Sequence, residues 1–176
     1  STIGGAIINA GQITTQATSN NNGILVTSNA AVSGGITNSG TINAGGNAIA
    51  IGGVATVTGA SIRISTFAGG ISNSGTIVAS SGNGVLVGGA AVSSGASINI
   101  GAFTGGITNS GAIAASSGTG IFVGGVADVF TGAGAAVSIS TFGGGVSNSG
   151  TIVAEATGIE LGGFASGNSS VTSSTF

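Results

Sequence analysis

The chain has no cysteine, proline, methionine, tryptophan, tyrosine or histidine, and its 176 residues carry one basic side chain and three acidic ones. The basic residue is Arg63, so lysine is absent as well; the acids are Asp128, Glu155 and Glu160. Each absence excludes a class of chemistry. Without His or Lys, the abundant Ser and Thr hydroxyls have no base to turn them into nucleophiles. Glu155 and Glu160 have opposite strand parity, with a turn signal at Thr157-Gly158 between them, which is a poor start for a glycosidase pair. Metal sites of the Cys or His type are impossible, and three scattered carboxylates do not make a calcium cage. A single Arg does not neutralise a phosphate backbone, so nucleic acid is excluded as a partner. Polar residues and Gly interrupt every apolar run before it reaches about 18 residues, and no Trp or Tyr is present to form a membrane girdle. The expectation is therefore a non-enzyme with no catalytic, cofactor-binding or metal residues, no cofactor, and no membrane insertion of this segment.

Low charge together with many Ile and Val is the opposite of a disordered composition. Glycine accounts for 38 residues, which argues against a helical core, whereas Ile, Val, Thr and Phe favour strands and the Gly, Asn and Ser clusters between them favour turns. The lack of Lys and Cys also suits export, because trypsin-like proteases find one site and nothing cross-links on the way out. No signal-peptide pattern stands at Ser1, so an exported form would be a mature or excised piece.

What is present is repetition. The stretch Gly69-Gly70-Ile71-Ser72-Asn73-Ser74-Gly75-Thr76-Ile77 recurs from Gly34, Gly105 and Gly144, with a worn copy at Ile7–Ile13. The central Asn residues of the four good copies are 35, 36 and 39 residues apart. A fixed period of this size marks stacked supersecondary units. The predicted organisation is a single β-solenoid domain over 1–176, made of five tandem repeats: an imperfect 1–33, then 34–68, 69–104, 105–143 and 144–176. Each repeat carries three strand-like pieces. After the Asn-Ser-Gly element comes an alternating run ending in a Gly pair, as in Gly84-Val85-Leu86-Val87-Gly88-Gly89. The third piece is Ala60–Phe67, matched by Ala96–Phe103 and Ala135–Phe142, with Asn168–Phe176 as a weaker last version. Period-two alternation puts Ile62 and Ile64 on one face and Arg63 on the other. The position occupied by Ala50, Leu86, Phe122 and Glu160 accepts such different side chains that it is assigned to the solvent side.

The spacing is read as two coils of roughly 18 residues per repeat, about ten coils in all, in an all-β parallel β-helix roughly 45–50 Å long. One large coil per repeat, with the third piece looped out, is the competing register. Two ladders follow: Asn38, Asn73, Asn109 and Asn148 (with Asn9) at one corner, and Phe67, Phe103, Phe142 and Phe176 at another place. Packing and turn geometry account for both. The longest interval places its three extra residues at Ala127–Gly132, where Asp128 and Phe130 form the least repetitive spot and a possible contact loop. A flat Thr array of the ice-binding kind is broken, since Ala112 interrupts the row Thr41, Thr76, Thr151.

The chain starts and stops within the repeat pattern, and neither end carries a capping element, so flanking repeats or other copies are expected to cover the strand edges. The tandem Asn-Ser-Gly-Thr-Ile units, set after Gly-Gly-Ile and followed by a strand ending in Gly-Gly, resemble the passenger regions of bacterial autotransporters and related surface adhesins. That resemblance implies a right-handed parallel β-helix, exported by a type V route and displayed at the bacterial cell surface or shed from it. The motif residues are scaffold, so no functional residue of the family carries over. Two functions follow as expectations: an extracellular protomer that stacks head to tail with itself into a fibre, stalk or matrix filament, or an adhesin segment gripping a host or surface ligand through an exposed loop.

Overall fold

A computed structural model describes residues 2–18, 20–27, 30–129 and 131–173. Among them every regular element is a strand. The first turn holds β1 (Thr2–Ile3), β2 (Ile7–Asn9), β3 (Gln12–Thr14), β4 (Ile24–Val26) and β5 (Ala30–Val32). The next holds β6 (Ile36–Asn38), β7 (Thr41–Ala44), β8 (Ile49–Ala55) and β9 (Ser61–Phe67). Then come β10 (Ile71–Asn73), β11 (Thr76–Ala79), β12 (Val85–Ala91) and β13 (Ser97–Phe103). A further turn runs through β14 (Ile107–Asn109), β15 (Ala112–Ala115), β16 (Ile121–Val129) and β17 (Ala136–Phe142). The last is β18 (Val146–Asn148), β19 (Thr151–Ala154), β20 (Ile159–Gly167) and β21 (Ser170–Ser173).

Equivalent strands pair in parallel. Sheet 1 stacks β2, β6, β10, β14 and β18; sheet 2 stacks β3, β7, β11, β15 and β19; sheet 3 stacks β4, β8, β12, β16 and β20. Sheet 4 runs β1, β5, β9, β13, β17 and β21. Ile36 pairs with Ile71, which pairs with Ile107, so the chain returns to the same place once per repeat. The molecule is thus a parallel β-solenoid of five stacked rungs separated by four spacings, about four full turns. The expectation of ten coils, two per repeat, is wrong. The axis is roughly 20 Å long at about 4.8 Å per rung. The third piece is not looped out either; it supplies sheet 4.

The long coil closes because its cross-section has two lobes. Sheets 1 and 2, the first half of each sheet 3 strand and the second half of each sheet 4 strand surround the larger core, which contains Ile36, Ile42, Ile49, Ile51, Ile64 and Phe67 and their equivalents. Past the Gly pair, the rest of the sheet 3 strand faces the start of the sheet 4 strand across a thinner core with Ala55, Ala91, Ile98, Ala127 and Val137. The hinge between lobes is the Gly pair itself: Gly52 and Gly53 have φ of 121° and 142°, Gly88 and Gly89 128° and 151°. Side chains other than Gly rarely adopt such values, so the pair bends the strand without interrupting its pairing.

The assignment of Ala50, Leu86 and Phe122 to solvent needs correction. They do point away from the main core, but all three are buried and form a small outer cluster of their own. The concave outer side of the Gly bend shelters them, and a shallow groove lined by Asn47, Asn83, Leu86, Phe122 and Val126 runs along it. Glu160 closes that row half-buried, its carboxylate accepting a 3.3 Å hydrogen bond from the Thr119 hydroxyl.

Candidate functional site

The most organised polar feature is the Asn column of sheet 1. In Ile36-Thr37-Asn38 the alternation turns Ile36 and Asn38 inward and Thr37 out. The same holds for Ile71-Ser72-Asn73 and Ile107-Thr108-Asn109, so in-register pairing puts amide above amide. Asn9 Nδ2 donates to Asn38 Oδ1, Asn38 to Asn73, Asn73 to Asn109 and Asn109 to Asn148, each at 2.7 Å. The second amide hydrogen reaches the carbonyl two residues on, as from Asn38 to Gly40 and from Asn73 to Gly75 at 3.3 Å. Asn38, Asn73 and Asn109 are buried, and an unpaired amide there would lose its water without compensation. Asn148, at the upper end of the column, is exposed. The column therefore has a direction, with every amide donating toward the C-terminal end.

Each Asn backbone carbonyl does further work at the corner. The Asn38 carbonyl accepts from the Ser74 and Gly75 amides at 2.8 and 3.1 Å, and Asn73 and Asn109 repeat the arrangement one coil up. The corner is thus held by inter-coil bonds, with the Asn as the last strand residue and not as a left-handed turn residue of its own.

The Phe column also forms. Phe67 and Phe103 stack with ring centroids 5.1 Å apart, Phe103 and Phe142 at 5.2 Å, and all three are buried. Offset stacking of this kind adds about 1 kcal/mol per pair to the area effect. Phe103→Leu, which loses two stacks and leaves a small void, is expected to lower stability by about 2 kcal/mol in a denaturant titration. An unchanged midpoint would mean the rings contribute only their area. Phe176, the fourth member expected from sequence, lies outside the described residues.

Asp128 is not on a free loop. It belongs to β16, pairs with Ser166 of β20 and accepts a hydrogen bond from the Ser166 hydroxyl. The extra residues of that repeat lengthen the arm of the thinner lobe, where β16 and β20 run nine residues against seven in β8 and β12. Phe130 lies outside the described residues. The structure brings neither Glu155 nor Asp128 to Glu160's hydroxyl partner: Glu155 is exposed on the far side of the Thr157-Gly158 turn, and Asp128 is tied to Ser166.

A second column went unread in the sequence. Asn22 Oδ1 accepts the Asn47 amide, Asn47 Oδ1 accepts the Asn83 amide and Asn83 Oδ1 accepts the Thr119 amide, at 3.1, 2.8 and 2.9 Å. These side chains cap the entry into sheet 3, one coil capping the next. The signal was available, since Asn22, Asn47 and Asn83 each stand two residues before the first inward residue of the sheet 3 strand, but Thr119 breaks the row.

Compared with protein-family models, curated proteins and solved structures, the chain matches none.

Proposed function

We propose that this chain is an extracellular structural protein of a bacterial cell surface, a solenoid segment whose copies stack end to end into a fibre, stalk or matrix filament. The observation that carries the reading is the state of the last rung. Ile159 and Leu161 of β20 are 41% and 51% exposed, whereas Ile121 and Val123, which they cover, are fully buried. Burying such side chains contributes about 1.5–3 kcal/mol each. The same edge presents unpaired strand groups, which natural proteins cover or pair. A further rung of the same kind, from another copy or from flanking repeats of the same chain, satisfies both needs at once. The composition supports placement outside the cell through its lack of Lys and Cys, and the right-handed β-helix and type V export follow the autotransporter resemblance. The adhesin alternative is the weaker reading, because the one carboxylate of its candidate loop is held in a strand.

Electron microscopy of the purified 176-residue chain at micromolar concentration tests the proposal. Unbranched filaments of uniform width are the expected result. Monodisperse single particles that persist as concentration rises would contradict it.

A further inference from the structure

The two ends of the solenoid differ in hydrogen-bonding character, and the difference fixes how copies meet. At the upper end, Asn148 Nδ2 has the Gly150 carbonyl at 3.2 Å and, among the described residues, no amide oxygen above it. At the lower end, Asn9 gives its amide to Asn38 and, among the described residues, no donor reaches its Oδ1. One end of the column is a spare donor and the other a spare acceptor. Resting on the stacking proposed above, we infer that stacking is polar and in register: β18, β19 and β20 of one copy lie under β2, β3 and β4 of the next, and Asn148 donates to Asn9 across the seam. Val146 then meets Ile7, Ile152 meets Ile13 and Ile159 meets Ile24, each apolar on apolar as in the interior rungs. In sheet 4 the described residues of β21 lie level with residues 136–139, and β1 lies level with the sites of Thr66 and Phe67. Turning either copy over reverses its strand direction and sets donor against donor or acceptor against acceptor. Such contacts that join unlike surfaces and do not close produce an open filament of one polarity.

The glycines give the test. A Cβ at Gly84 or Gly120 would overlap the Cγ2 of Ile113 or Ile152 in the coil above and come within 2.6 Å of the carbonyl oxygen of Gly120 or Gly158. Gly158 is the equivalent residue in the last coil, and an added Cβ there meets nothing within 4 Å. In the polar stack it would strike Ile13 and the Gly23 carbonyl of the next copy. At the other end, Cβ atoms at Gly40, Gly75, Gly111 and Gly150 would overlap the carbonyl of the equivalent glycine in the coil below, while Gly11 is open. In the stack Gly11 lies on Gly150 of the copy beneath. Gly158→Ala and Gly11→Ala therefore leave the isolated molecule intact and block opposite ends.

Sedimentation of each variant, alone and mixed, reads the outcome, with circular dichroism and thermal midpoint confirming the fold. Each variant alone is expected to stay monomeric, with association weakened about a hundredfold relative to the unsubstituted chain. An equimolar mixture is expected to give dimers, the open lower end of the Gly158→Ala chain seated on the open upper end of the Gly11→Ala chain. Gly5→Ala, also open in the isolated molecule, repeats the lower-end block should Gly11→Ala unfold. Dimers of either variant alone would overturn the polarity while leaving stacking itself in place. Filaments formed by either variant as readily as by the unsubstituted chain would overturn the register. An unsubstituted chain that never assembles would remove the proposed function and this inference with it.

Discussion

Gly88→Ala is expected to destroy the ordered middle of sheet 3, at a cost of about 4 kcal/mol or more. Two effects act together. At φ of 128°, Gly88 occupies a backbone region in which an L side chain is strained by about 1–3 kcal/mol. In addition, the added Cβ would overlap the carbonyl oxygen of Gly124 in the next coil. That oxygen is backbone, held by pairing of β12 with β16 on both sides of the site, so no side-chain rotation relieves the overlap. The strand has to leave its neighbour, and with it go the bend between the two lobes and the shelter of Leu86 and Phe122. A urea titration followed by circular dichroism measures the loss. A midpoint within 1 kcal/mol of the unsubstituted chain would mean that the strand does not bend there as described.

Asn73→Ala is the second large effect, about 3 kcal/mol. The substitution removes the donor to Asn109 Oδ1 and the acceptor for Asn38 Nδ2 in one step. Asn38 keeps the Gly40 carbonyl as a partner, but Asn109 Oδ1 is left buried and unpaired. Stranding a buried amide costs about 1–3 kcal/mol, and the lost hydrogen bonds and small void add to that. Asn148→Ala, at the exposed end of the same column, is expected to cost under half as much in the isolated chain. Equal losses at the two positions, measured by the same titration, would show that the column is not a directional chain of buried amides.

Much of this was legible in the sequence because the repeat samples each structural position four or five times. Ile at two-residue spacing in Ser61-Ile62-Arg63-Ile64 gave the inward face, and the recurring Asn and Phe gave both columns. The number of coils was not legible, since a period counts residues and says nothing about their path. Gly52-Gly53 looks like the end of a strand, yet at φ above 120° the chain stays in the sheet and continues to Ala55. That continuation gives the start of the sheet 4 strand a surface to pack on, which makes the second lobe, and it lets 36 residues close once instead of twice. The outer row failed for a related reason. Ala50, Leu86 and Phe122 vary in size because they fill a groove outside the bend, and in a sequence such variation looks the same as exposure. The Asn22, Asn47 and Asn83 column was hidden by Thr119, whose amide is capped from below although its own side chain does not continue the row.

Each repeat is one coil and coils add along a single axis within the chain; the same addition between chains is what we propose. Helical reconstruction of the assemblies measures it through the axial advance per copy. Five rungs per copy at about 4.8 Å give an advance of roughly 24 Å. An advance near 48 Å, as two coils per repeat would give, or particles that never lengthen beyond one copy, would contradict the account.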